Sequence, residues 1–165
     1  MTENLLTYHE IAPVYNAHSR ILILGSFPSV KSREGEFFYH HPQNRFWKVL
    51  AKVLQCELPV TIEEKKHMLL EHHIAVWDVI ASCTITGSSD SSIQNVTVNN
   101  LHQILECADI RQIYINGGKA YALYQKYCKE QFKREAIKLP STSPANAAFS
   151  LERLMEEWKI ITESL

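Results

Sequence analysis

The sequence predicts an α/β fold in which a mostly parallel sheet carries helices on both faces. Short apolar runs of strand length recur along the chain: residues 21–24 (ILIL), 74–80 (IAVWDVI), 112–116 (QIYIN) and 136–139 (AIKL). Segments with helical periodicity separate them. The runs are mostly continuous rather than alternating, as strands buried on both faces are. Strands alternating with helices in this way imply parallel crossovers.

The elements follow in order. Residues 1–20 are mixed, with Pro13 breaking any long helix. The first strand, 21–24, is ended by Gly25. Residues 26–43 form a long loop containing Pro28, Gly35 and Pro42. A loop of that length in a compact domain is usually functional or disordered. Its consecutive rings, Phe37, Phe38, Tyr39 and His40, argue for order.

Residues 44–54 are helical, because Phe46, Trp47, Leu50, Val53 and Leu54 fall at helical spacing. Thr61 and Glu64 form a capping box that starts a helix to about His72. After the second strand, residues 82–92 (SCTITGSSDSS) read as a polar loop. Asn99 or Asn100 can cap a helix through Cys107. Gly117-Gly118 turns the third strand into a helix to about Phe132. Residues 140–144 (PSTSP) follow the fourth strand. Ser150 can cap a last helix whose apolar face is Leu151, Leu154, Met155, Trp158 and Ile161.

Composition bounds the class. At 165 residues, 45% apolar and 21% charged, the chain reads as one globular domain over 1–165. No apolar run approaches the roughly 20 residues of a membrane-spanning helix. The N-terminus lacks a signal-peptide pattern, so a cytoplasmic location is expected. Cys56, Cys83, Cys107 and Cys128 contain no Cys-x-x-Cys pair, which argues against zinc, iron–sulfur and disulfide frameworks. The histidines complete no metal pattern, and none is expected. A net charge of −1 is not that of a nonspecific DNA coater. It is compatible with a local grip on a short segment.

Ligands of such sheets bind outside the carboxyl ends of the strands. That rule gathers the loops 25–44, 82–92, 116–119 and 140–146. They carry amides, hydroxyls and rings, with few acids: Asp78, Asp90, Glu34 and Glu36. There is no Ser-His-Asp set, no Gly-x-Ser-x-Gly elbow and no phosphate loop. Rings and amides suit a flat polar ligand such as a nucleobase. Hydroxyl-rich loops suit phosphates. Plainer readings stand beside these: rings that pack the long loop down, a stiff turn at 140–144, and Asn44 as a helix cap.

The strings "GSFPS", "YHHPQNRFW" and "LPSTSPANA" resemble motifs of the uracil-DNA glycosylase superfamily. With "WDVIASC" and "GSSDSSI" they look most like its hypoxanthine-DNA (deoxyinosine) glycosylase branch. The resemblance covers about residues 11–160. It implies a three-layer α/β/α sandwich around a four-stranded parallel sheet. It also implies a repair hydrolase that cleaves the N-glycosidic bond of a flipped, deaminated base in double-stranded DNA. No metal or cofactor is implied, and a monomer is expected.

By the same resemblance Asn44 is catalytic. Gly25, Ser26, Phe27, Pro28 and Tyr39 form the base pocket, with Tyr39 at the stacking position. Ser141, Thr142 and Ser143 meet phosphates, and Asn146 lies where relatives probe the gap left by the base. Two departures stand out. The mismatch-specific branch has a water-positioning Asn where this chain has Phe27, and the uracil-specific branch's Asp is absent. After the fourth strand several branches place His or Asn, where this chain has Ser141. The alternatives are a uracil or mismatch glycosylase and a nonenzymatic nucleic-acid-binding module.

Overall fold

The computed structural model describes residues 5–86 and 92–165. In chain order the elements are β1 (Leu5–Tyr8), β2 (Ile21–Gly25), α1 (Val30–Gly35), α2 (Phe46–Leu54), α3 (Ile62–Glu71), β3 (Ile74–Asp78), β4 (Ile80–Ile85), β5 (Gln94–Val98), α4 (His102–Leu105), β6 (Gln112–Asn116), α5 (Gly118–Tyr127), α6 (Lys129–Phe132), β7 (Ala136–Leu139) and α7 (Leu151–Trp158). A 3₁₀ helix, Lys159–Ser164, follows α7.

The four expected strands build one parallel sheet in the order β3-β2-β6-β7. Helices flank it, with α3 against β3, α5 against β6 and β7, and α2 against α7. Ile21 to Leu24 are wholly buried, as their unbroken apolar run requires of a central strand. The chain runs outward from β2 to β3 on one side and from β6 to β7 on the other. The switch point therefore falls between β2 and β6, where a parallel sheet opens a crevice at its carboxyl edge.

Thr61 Oγ1 accepts from Glu64 N at 3.1 Å and Ser150 Oγ from Arg153 N at 3.2 Å, so both expected caps form. Neither Asn99 nor Asn100 is the cap of α4, which is Leu101; Asn100, one residue earlier, accepts from His102 N at 3.1 Å. The Asn99 side chain is turned inward. It donates to the carbonyls of Asp78 (2.9 Å) and Ile80 (3.1 Å), where the chain leaves the parallel sheet.

Three expectations are corrected. Residues 82–85 are not loop, and the expected strand 74–80 ends at Asp78: Ile80–Ile85 is strand β4, which with β1 and β5 forms a second, antiparallel sheet in the order β1-β4-β5. Its sequence alternates: Cys83 and Ile85 are buried, while Ser82 and Thr84 are not. The serines and threonines hid a half-buried strand. Residues 87–91, including Asp90, lie outside the described residues. The mixed N-terminal segment supplies β1, and the long loop contains α1, capped by Ser29 Oγ accepting from Ser32 N at 3.1 Å.

No helix among the described residues is long and apolar enough to cross a membrane. All four cysteines are free thiols, Cys83 and Cys128 buried.

Trp158 is fully buried, lies edge-on to Phe46 at 5.8 Å, and donates its Nε1–H to Pro140 O at 3.0 Å. It ties the last helix to the loop after β7. Trp158→Phe should lower unfolding free energy by about 1–3 kcal/mol in urea titrations, because the Pro140 carbonyl is left without its donor.

Candidate functional site

A cavity of about 580 Å³ opens at the switch point, within the range of ligand sites (about 300–1,000 Å³). Loops after β2, β3, β6 and β7 converge on it, through Gly25 to Ser32, Asp78, Asn116 and residues 141–145, joined by Phe38, Tyr39, His41 and Asn44. All the residues expected at the base pocket line it. Asn146 does not. It belongs with Ser141 and Ser143 to a neighbouring cavity of about 620 Å³ that also meets Lys138 and Gly118.

Asn44 precedes α2. Its Oδ1 accepts from Phe46 N at 2.9 Å and from Thr142 Oγ1 at 2.9 Å. A backbone N–H can only donate, so the atom facing it is the amide oxygen and the orientation of the side chain is fixed. Asn44 is not the helix cap: that position is Arg45, and Asn44, one residue earlier, uses its oxygen to satisfy the first N–H of α2 while lining the cavity. That use of the oxygen leaves the Nδ2 amino group as the side chain's open donor.

Thr142 is the node of this edge. Its hydroxyl donates to Asn44 and accepts from Asn116 Nδ2 at 3.0 Å, and its backbone N–H donates to Asn116 Oδ1 at 3.1 Å. It is wholly buried. The expectation that Thr142 meets a phosphate is therefore corrected: its polar groups are consumed inside the protein. Ser141 and Ser143 are partly exposed. Their hydroxyls accept from Ser143 N and Ala145 N, both at 3.1 Å, and can still donate outward. Asn146 Nδ2 is held by Ser141 O at 3.0 Å.

Arg45 clamps that loop. Its guanidinium donates to the carbonyls of Ser143 and Asn146, each at 3.0 Å, and to Phe149 O. Its backbone N–H donates to Thr142 O at 3.0 Å. The sequence marked Arg45 as a charged residue at the start of an amphipathic helix, inside the string YHHPQNRFW, but not for this clamp. Asn116 was legible as a polar residue ending a buried strand.

The rings divide. Phe37 and Phe38 are core, 2% exposed each, and Phe37 stacks on Trp47 at 5.9 Å. Tyr39 has φ 51°, a left-handed conformation that strains an aromatic residue. It places one ring face 3.9 Å from Phe46, which it stacks upon, while the ring lines the cavity. The Tyr39 Oη is buried and meets no hydrogen-bond partner among the described residues. Burial first, and the Asp78 carboxylate second, push its ionisation well above the usual tyrosine range, against a small opposing pull from Asn116.

Gly25 must be glycine. A Cβ there would stand 2.6 Å from Asp78 Oδ1 and 3.1 Å from Tyr39 Oη. Asp78 is 4% exposed, and its Oδ2 is 2.8 Å from His9 Nε2. A carboxylate only accepts, so the imidazole donates. His9 follows β1, and nothing in its sequence context marked it. Phe27 lies edge-on to His9 at 6.0 Å, with the Arg33 guanidinium 5.5 Å from its ring centre. Among the described residues no group of His, Cys, Asp and Glu is arranged to hold a metal ion.

Two outcomes are expected. Thr142→Val, which keeps shape but removes the hydroxyl, should cost about 1–3 kcal/mol in urea unfolding, with Thr142→Ser recovering most of it. For Tyr39 the folded-state value is raised, so the folded protein holds the proton at a pH where the unfolded chain has begun to lose it. Stability is then fully present below the unfolded value of about 10 and falls as pH rises beyond it. Tyr124 and Cys128, pushed up to about 12 by burial, slope the same way. Tyr39→Phe should make the alkaline decline shallower in unfolding titrations between about pH 8 and about pH 11.

Comparison with known proteins identifies the family. The family model "Uracil DNA glycosylase superfamily" matches residues 12–163. A hypoxanthine DNA glycosylase of Methanosarcina acetivorans is 33% identical over 90% of this chain and 93% of its own. One from Methanosarcina barkeri is 27% identical over 81% of this chain and 85% of its own. The solution NMR structure of a provisionally named uracil DNA glycosylase from Methanosarcina acetivorans superposes with a TM-score of 0.80 at 30% identity, covering 95% of this chain and 96% of that one. The chain therefore belongs to the uracil DNA glycosylase superfamily.

Proposed function

We propose that this protein is a monofunctional DNA glycosylase that removes hypoxanthine from deoxyinosine in double-stranded DNA. The observation that carries the reading is the fixed Asn44 amide, its oxygen pinned by Phe46 N and Thr142 and its amino group left for the cavity. The two relatives named hypoxanthine DNA glycosylases support the substrate. The cavity is complete within one chain, which supports a monomer, and four free thiols suit the cytoplasm.

The reaction is hydrolysis: water adds its oxygen to C1′, the C1′–N9 bond breaks, and the water's proton ends on the departing base. The sugar gains positive character and the base negative charge. Extruding the base costs a few kcal/mol, less at a mispaired one. Stacking on Tyr39 and Phe27 offsets part of that, roughly 1–3 kcal/mol per base. Gly25, Ser26 and Pro28 form the wall beside the base. Asn44 Nδ2 donates to the base as charge develops on it, the moment at which a preorganised donor counts most. Ser141 and Ser143 hold flanking phosphates, and Asn146 borders the gap in the duplex.

A duplex carrying one deoxyinosine, followed by alkali cleavage of the abasic product, tests the function. Strand scission is expected. Uracil opposite guanine in parallel distinguishes the uracil reading, and binding without scission would leave a nonenzymatic module. Asn44→Ala should lower the single-turnover rate about 100- to 1000-fold, the scale of one preorganised donor. Asn44→Asp keeps the oxygen that Phe46 N and Thr142 bond but loses the amino group. An equal loss there assigns the effect to the donor rather than to the oxygen, and rates within about threefold of wild type for both would remove Asn44 from the chemistry.

A further inference from the structure

We propose that Asp78, oriented by His9, is the specificity-determining acceptor at the floor of the cavity, reading the ring N–H that deamination creates. This rests on the glycosylase reading above. Asp78 ends β3 and lines the cavity, yet is 4% exposed. One of its oxygens is consumed by His9 at 2.8 Å, and the His9 side chain is 1% exposed. Phe27 and Phe38, each at 6.0 Å, and Trp77 at 6.4 Å fix the imidazole from three sides. Asn99 holds the Asp78 backbone carbonyl at 2.9 Å. The other oxygen, Oδ1, sits over Gly25, where only a hydrogen leaves room for it. Among the described residues no second donor meets this carboxylate.

A buried carboxylate that keeps one oxygen toward a cavity is poised for a donor brought by a ligand. Depth decides which part of the ligand arrives there. The charged sugar–phosphate stays at the mouth, beside His41 and Ser141 to Ala145. The edge of the base opposite the glycosidic bond reaches the floor. In hypoxanthine that edge carries N1–H beside the C6 carbonyl.

Deamination sets up the contrast. Adenine has a lone pair at N1, and cytosine has one at N3; their products carry N–H at the same atoms. A fixed acceptor welcomes the product's N–H and sets lone pair against lone pair in the parent. A single carboxylate thereby separates each deaminated base from its own parent, adenine or cytosine, while guanine and thymine, which carry the same ring N–H, must be turned away by the shape of the pocket.

The test uses single-turnover cleavage of otherwise identical duplexes carrying deoxyinosine or N1-methyldeoxyinosine. Wild type should favour deoxyinosine by about 100-fold or more, as sites built around a substrate N–H do. Asp78→Ala, which removes the acceptor and makes room for the methyl group, should bring the ratio to within about threefold of unity. Asp78→Asn, nearly isosteric, guards against misfolding: its amino group would face N1–H and lower deoxyinosine cleavage about 100-fold. His9→Gln, which can still donate, should restore the ratio that His9→Leu loses. A merely structural pair would slow both substrates alike, so a wild-type ratio retained in folded Asp78→Ala overturns the proposal. Wild type inactive on both duplexes overturns the glycosylase reading with it, whereas activity on deoxyinosine with an unmoved ratio overturns this inference alone.

Discussion

The carboxyl edge of the sheet depends on one buried hydroxyl. Thr142 Oγ1 accepts from Asn116, which ends β6, and donates to Asn44, which opens α2, while Thr142 itself belongs to the loop after β7. Three segments far apart in sequence are thereby locked at the switch point. Each bond is worth only about 1 kcal/mol net, but the network is buried, and leaving any member unpaired costs about 1–3 kcal/mol. The relay also has a direction. The amide of Asn116 must offer its amino group to Thr142, because its oxygen takes the Thr142 N–H. That leaves the Thr142 proton for Asn44. Polarity is propagated across the edge, and it ends by aiming the Asn44 amino group.

A second constraint explains why a parallel-sheet protein carries an extra antiparallel sheet. β3 and β4 are separated by Val79 alone, whose N–H bonds to Gly25 O at 2.8 Å. The chain thus steps from one sheet to the other at the point where Asp78 meets the cavity. β1 then pairs with β4 from Leu5↔Ile85 to Tyr8↔Ser82, and His9 N continues the ladder to Ala81 O at 2.7 Å. That register carries the His9 ring in behind Asp78. Asn99, arriving after β5, secures the same step from the other side. The small sheet serves as a bracket for one carboxylate.

Much of this was legible in the sequence, and what was not has physical reasons. The four parallel strands declared themselves because burial on both faces demands unbroken apolar runs. The caps at Thr61 and Ser150 were readable because they act over three residues. β4 was not, since a strand buried on one face only can fill alternate positions with serine and threonine. The loop hydroxyls misled in one case: three in a row look equivalent, and only the tertiary contact of Thr142 with Asn44 and Asn116 separates the scaffold hydroxyl from its outward neighbours. Likewise Phe37, Phe38 and Tyr39 are one string in sequence. Burial separates them: Phe37 and Phe38 are buried, Phe38 also backing the cavity, while Tyr39 at its left-handed turn is only partly buried. His9 and Asp78 lie 69 residues apart, and no local pattern could have joined them.

Phe27 then takes on a definite meaning. Relatives of the mismatch-specific branch keep an amide at that place to hold water, and this chain instead packs an apolar ring edge-on to His9 under the Arg33 guanidinium. The substitution places an apolar ring beside the imidazole that holds Asp78. It also removes one route to directing water. Asn44 does not simply inherit that task, because its oxygen, the atom that would accept a water proton, already holds two hydrogen bonds. What remains open is a donor. Under the reading proposed above, a donor left at Asn44, with no unbonded amide oxygen among the described residues that line the cavity, suits stabilising the departing base better than sharpening the attacking water. For a reaction whose sugar is already oxocarbenium-like when the bond breaks, that is the side of the transition state on which fixed dipoles contribute most.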